Sequence, residues 1–215
     1  MSDKKAFVFD TNFILQNKNL IEVVDSNVVP PIITGGNKSW VSTNIEITVQ
    51  DSGTPVEDIL RYEYYLSETP TTPTRNVAIP STQVLTPTSN PKATISADGT
   101  TYVWFRVVDK NNEVSKWSNR EEANIDKATP ANPSIVASDS KGSGTTHTSS
   151  FALTFSVATP NVSGNTFYYG TSQSDLTNIA SSISIDSTFN NQTIYVKACS
   201  SSNKCSGVSS YIVKY

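Results

Sequence analysis

Between residues 44 and 215 the chain carries one succession of strand-like segments twice, in the same order. NIEITVQ (44–50), RYEYYLS (61–67) and TYVWFRVVD (101–109) are answered by FALTFSV (151–157), NTFYYGT (165–171) and QTIYVKACS (192–200). The best local match also keeps register. At a constant offset of 91, Val108 falls on Cys199 and Val114 on Cys205. A repeat in both order and register favours tandem copies of one β-fold over a single barrel.

The segments themselves read as strands. Ile45, Ile47 and Val49 alternate with Glu46, Thr48 and Gln50; Val103, Phe105 and Val107 share one face; Phe151, Leu153, Phe155 and Val157 are in phase. Period two with β-branched and aromatic residues is the strand signature. Charged residues make up only 16% of the chain and hydrophobic ones 36%. Ser, Thr and Asn fill the difference, which suits half-exposed strands better than helices. Each half opens on a Pro-bearing stretch, PPIIT (30–34) and ANPSIVAS (131–138). The boundary is expected near NIDKATPANP, where Pro130 and Pro133 interrupt pairing and stiffen a short linker. An all-β chain follows, with domains at 27–127 and 128–215 after a separate segment, 1–26. Ile45, Ile47 and Val49 are expected to face Val103, Phe105 and Val107 in the first core.

The runs WFRVVDKNNEVSKWS and YVKACSSSNKCSG resemble the last hairpin of bacterial immunoglobulin-like repeats, which are similar in turn to fibronectin type III modules. Members often carry a D-x-x-G-N-x-S turn there. The first copy has Asp109, Asn111, Asn112 and Ser115, and the second Ser200, Asn203 and Ser206. The usual Gly is read as replaced by Asn111 and Ser202. Asn tolerates left-handed φ well. The junction IDKATP (125–130) resembles the linker of such arrays. The resemblance covers residues 27–215. It implies two tandem immunoglobulin-like β-sandwiches, a fold that hosts many roles.

Cys199 and Cys205 are the only cysteines. On facing strands beside a turn their Cβ atoms come near disulfide distance. A bond is the expectation, and it implies an oxidising final location. The alternative is a pair of buried thiols in the places of Val108 and Val114. A zinc site falls short of four ligands, since the one His147 lies in the flexible-looking stretch KGSGTTHTSS.

Residues 1–26 stand outside the repeat. FVFDTNFIL resembles the first strand and turn of PIN-domain nucleases, in which Asp10 would help hold a divalent metal. Metal-assisted cleavage needs several converging carboxylates, and the downstream acids belong to β-repeat strands and turns. Asp10 is therefore read as a turn or helix cap. Phe7, Phe9, Phe13, Ile14, Leu15, Leu20 and Ile21 still require burial. They are expected to pack on the first domain or to anchor the chain to a capsid, tail or other surface protein. Trp40, Trp104 and Trp117 are expected to place one or two rings in the core. Trp40 and Trp117 are also the candidate glycan contacts. The Thr/Pro-rich stretch 68–92 is expected to run extended along a sheet edge.

A net charge of −3 with no Lys/Arg stripe gives nucleic-acid binding no electrostatic support. No apolar run approaches 18 residues, so no membrane insertion is expected. The single histidine, His147, falls in the turn-like KGSGTTHTSS, so no Ser/His/Asp triad is expected; no phosphate loop is visible, and no cofactor is expected. MSDKK is not expected to open a secretory signal, and no anchoring tail is expected in the closing YIVKY. The expectation is a non-enzymatic structural or decorating protein on a phage virion, extracellular after lysis and weakly adhesive. Two alternatives remain: a piece of a bacterial surface adhesin or stalk, and a PIN-type nuclease remnant fused to sandwich repeats.

Overall fold

The computed structural model describes residues 28–215. The candidate anchor residues Phe7, Phe9, Phe13, Ile14, Leu15, Leu20 and Ile21, and Asp10 with the segment compared to nucleases, lie outside the described residues.

The first sandwich packs two sheets. One has the order β1 (Ile32–Thr34), β3 (Ile45–Asp51), β6 (Lys92–Ile95). The other runs β2 (Asn37–Val41), β8 (Glu121–Ile125), β7 (Gly99–Asp109), β4 (Ile59–Ser67), β5 (Val84–Leu85). All pairings are antiparallel except β2 on β8, where Asn37 faces Ala123 and Val41 faces Ile125 in parallel. Alternation sets the core. Ile45, Ile47 and Val49 from one sheet are buried with Tyr62, Val103, Phe105 and Val107 from the other. Burying each such side chain contributes about 1.5–3 kcal/mol. Tyr64 and Leu66 pack against this core from β4.

The second sandwich uses the same plan with one strand fewer. One sheet is β9 (Ser134–Ala137), β10 (Phe151–Ser156), β13 (Ser182–Ile185); the other is β12 (Asn178–Ile179), β11 (Asn165–Gly170), β14 (Thr193–Ser200), β15 (Ser209–Ile212). Phe151, Leu153 and Phe155 meet Ile194, Val196 and Tyr211 in a separate core, joined by Phe167 and Tyr169. The counterpart of β2 shrinks to a single parallel bridge between Thr146 and Lys214. The described chain is all-β: two tandem immunoglobulin-like β-sandwiches.

The turn after the long strand is built identically in both. Val108 bridges Val114, and Cys199 bridges Cys205. Asp109 N–H donates to Glu113 O at 3.0 Å, and Ser200 N–H to Lys204 O at 2.8 Å. The Oγ of Ser115 accepts from Val107 N–H at 2.9 Å, and that of Ser206 from Ala198 N–H at 2.9 Å. The left-handed residue is Asn112 (φ 65) in one and Asn203 (φ 63) in the other. It therefore sits one residue beyond Asn111 and Ser202, the positions read from the sequence as taking the glycine's place. Counting three residues on from Asp109 and Ser200 places it correctly.

Candidate functional site

Strand β7 is buried from Val103 to Asp109 without a gap. Alternation covers only half of those residues with core, so something else covers Trp104, Arg106 and Val108. The cover is the Thr/Pro-rich connection after β4. It does not simply follow the sheet edge as expected. Only Val84 and Leu85 pair at that edge, on Tyr62 and Glu63. The residues before them cross the outer face, and their carbonyls are held there by side chains from β7 and from the connection between β7 and β8. Arg106 donates through Nη1 to Arg75 O and through Nη2 to Val77 O at 3.3 Å. Trp117 Nε1 donates to Thr74 O at 3.3 Å, and Arg120 Nη1 to Pro70 O at 3.1 Å. Proline-rich chain cannot donate enough hydrogen bonds to form a strand, but it can accept.

Beneath this strap lies a ladder of charge and rings. Glu63, 7% exposed at its side chain, takes Arg106 on Oε2 at 2.6–2.8 Å and Arg61 on Oε1 at 2.7 Å. The Arg106 guanidinium lies 4.6 Å over Trp117, and that of Arg120 lies 5.0 Å over Tyr102. Tyr65 bridges Trp104 and Trp117, with ring centres at 6.3 and 6.1 Å. Both carboxylate oxygens of Glu63 are thus occupied by guanidinium groups, an arrangement for holding a loop rather than for moving a proton. Trp104 is 1% exposed, yet it belongs to this outer layer and lies outside the cluster of buried residues between the sheets. Trp117 is half-buried with Arg106 on its face, and Trp40 is half-buried on β2. No ring contact among the described residues joins Trp40 to Trp117.

Among the described residues, no strap covers the same outer face of the second sandwich. The connection after β11 is short, and a depression of about 320 Å³ remains, lined by Thr166, Tyr168, Lys197 and the Cys199–Cys205 disulfide. Lys197 lies 5.7 Å over Tyr168.

His147 is not in a mobile turn. Its ring is 1% exposed and stacks on Phe151 at 3.7 Å. Nδ1 lies 2.7 Å from Asp139 Oδ2, and Nε2 lies 3.1 Å from the Tyr211 hydroxyl, which donates to Lys141 O. Desolvation works to raise the Asp139 carboxyl, but the hydrogen bonds from His147 and the Lys141 N–H, with the nearby cationic charge, outweigh it and hold it below the usual range. Burial, with Asp139 close by, pushes the Tyr211 phenol up. The cluster pins the 139–147 loop to β15. No group of three or more His, Cys, Asp or Glu side chains among the described residues is placed to hold a metal ion.

No protein-family model and no curated protein matches the sequence. Solved structures that it resembles include fibronectin(III)-like modules of Clostridium thermocellum CbhA, at 14% identity over 85% of this chain and 93% of that one, TM-score 0.34. Three N-terminal domains of the highly immunogenic outer capsid protein (Hoc) of bacteriophage RB49 match at 12% identity over 86% of this chain and 58% of that one, TM-score 0.35. Domains 7, 8 and 9 of the S-layer protein SbsC match at 13% identity over 87% of this chain and 59% of that one, TM-score 0.28.

Proposed function

We propose that this chain is a non-enzymatic structural protein displayed on the surface of a phage particle, with residues 1–26 as its attachment. One observation carries the reading. The buried charged and histidine side chains among the described residues are committed to holding loops, turns and the junction: Glu63 and Arg106 to the strap, His147 to the 139–147 loop, Asp109 to its own turn, Asp126 to the segment between the sandwiches. Every buried side-chain nitrogen and oxygen among the described residues has a hydrogen-bond partner. Groups so engaged hold a shape, and this supports a structural role. Tandem sandwiches then act as a spacer, and many copies on one particle raise a weak host-surface contact by avidity.

Immunogold labelling of the source particles with an antibody to the second sandwich tests this. Label is expected on the capsid or tail surface, and it should disappear when residues 1–26 are deleted while both sandwiches stay folded. Label confined to a bacterial cell wall, or unchanged by the deletion, would overturn the proposal.

A further inference from the structure

The junction between the sandwiches runs from the end of β8 at Ile125 to the start of β9 at Ser134, and its first residues are hydrogen-bonded on both sides. Toward the first sandwich, Asp126 N–H donates to Val41 O at 2.9 Å, Lys127 N–H to Asp98 Oδ1 at 3.1 Å, and Lys127 Nζ to Ser96 O at 2.6 Å. Toward the second, Asp126 Oδ1 accepts from Asn161 Nδ2 at 3.1 Å, and Oδ2 accepts from Ser163 Oγ at 2.5 Å and Ser163 N–H at 3.4 Å. The Asp126 carbonyl accepts from Ser202 Oγ at 2.7 Å, and Asn161 Nδ2 donates again to Ala128 O at 2.7 Å. Asp126 is 0% exposed.

We infer that Asp126 locks the two sandwiches into a single body with one fixed angle between them. Short linkers between modules leave them free to swing unless something more than chain length opposes it. Here one residue gives its N–H to the first module and its carboxylate and carbonyl to the second. A swing about this point breaks these bonds together, because they share one side chain and its own peptide. Hydrogen bonds to an ionised acceptor are the short and strongly directional ones. The donors are also set in advance. Asn161 and Asn165 bond each other's side chains and backbone at 3.0 and 3.2 Å, and Ser201 donates to Ser163 through both its N–H and its Oγ, at 3.1 and 2.8 Å. The donors come from the turn between β10 and β11 and from the turn after β14, which the second sandwich builds without help from the first. Pro130 and Pro133 restrict the chain just beyond.

The test uses residual dipolar couplings and ¹⁵N relaxation on the full chain, with the variants Asp126→Ala and, from the other side, the double variant Ser163→Ala/Ser202→Ala. In the native protein both sandwiches are expected to share one alignment tensor and one rotational correlation time. Either variant is expected to split them into two tensors with shorter, unequal correlation times, while the amide spectrum within each sandwich persists. Two independent tensors in the native protein would overturn the inference, as would one unchanged tensor in the double variant. If Asp126→Ala fails to fold, the native measurement and the double variant decide the matter alone.

Discussion

The two sandwiches share a frame and differ in what is laid over it. The turn closed by Val108 and Val114 in the first is closed by Cys199 and Cys205 in the second, with the same hydrogen bonds 91 residues apart. Among the described residues, the outer face beside that turn is covered in one by a proline-rich strap over an ion pair and left open in the other. The difference follows from composition. Residues 128–215 contain no Arg and no Glu, so no guanidinium–carboxylate ladder can form there. The polar turn and the alternating core specify the fold, and the covering of the face is an independent addition.

Removing the ladder should have the largest effect and should stay local. Glu63→Ala leaves the Arg106 guanidinium buried without its partner and is expected to cost the first sandwich about 3–5 kcal/mol. All three tryptophans lie in that sandwich, so denaturation followed by indole fluorescence reads it selectively. A loss below about 1 kcal/mol would mean the pair is solvated and the strap loosely held. Next comes the covalent closure. Reducing Cys199–Cys205 is expected to cost the second sandwich about 2–3 kcal/mol in the chain-entropy account. The double variant Cys199→Val/Cys205→Val should still fold, since it copies the first sandwich's pair. An unfolded product by amide NMR would show that the two turns are not equivalent. Smaller still, Ser115→Ala and Ser206→Ala each remove one acceptor for a backbone N–H and should cost about 1 kcal/mol apiece. Costs that differ severalfold would separate the turns energetically.

The smallest effect is a pH dependence confined to the second sandwich. The folded Asp139 carboxyl is held below its unfolded value of about 3.9. Its contribution is therefore present above about pH 4 and is lost as pH falls through the lower folded value. Acid titration of stability should show this slope in the native protein and a flatter one in Asp139→Asn. An identical slope in both would remove Asp139 from the account of acid sensitivity.

Much of the fold was legible because alternation reports burial on one face. Ile45, Ile47 and Val49, and Phe151, Leu153 and Phe155, are buried as their phase requires. What lies on the second face leaves a fainter trace. The run YVWFRVV has Trp104 and Val108 where a solvent face would be polar, and near-continuous apolar runs mark strands covered on both sides. That signal marks a strand with a covered second face, but reading the run for its core face alone misses it, and the Thr/Pro composition of residues 68–92 suggests an edge. Glu63 and Arg106 are far apart in sequence, and only the antiparallel register of β4 on β7 sets them opposite each other. His147 and Asp126 gave no warning, because neither belongs to a periodic pattern and each is buried by groups from distant loops.

Hydrogen exchange at single amides tests the duplicated frame most directly. The N–H groups of Val107, Asp109 and Ser115 should exchange slowly, and those of Ala198, Ser200 and Ser206 should do the same, pair by pair. Slow exchange at the first three with free exchange at their counterparts would show that only one copy of the turn exists, and the reading of this chain as one sandwich built twice would fail.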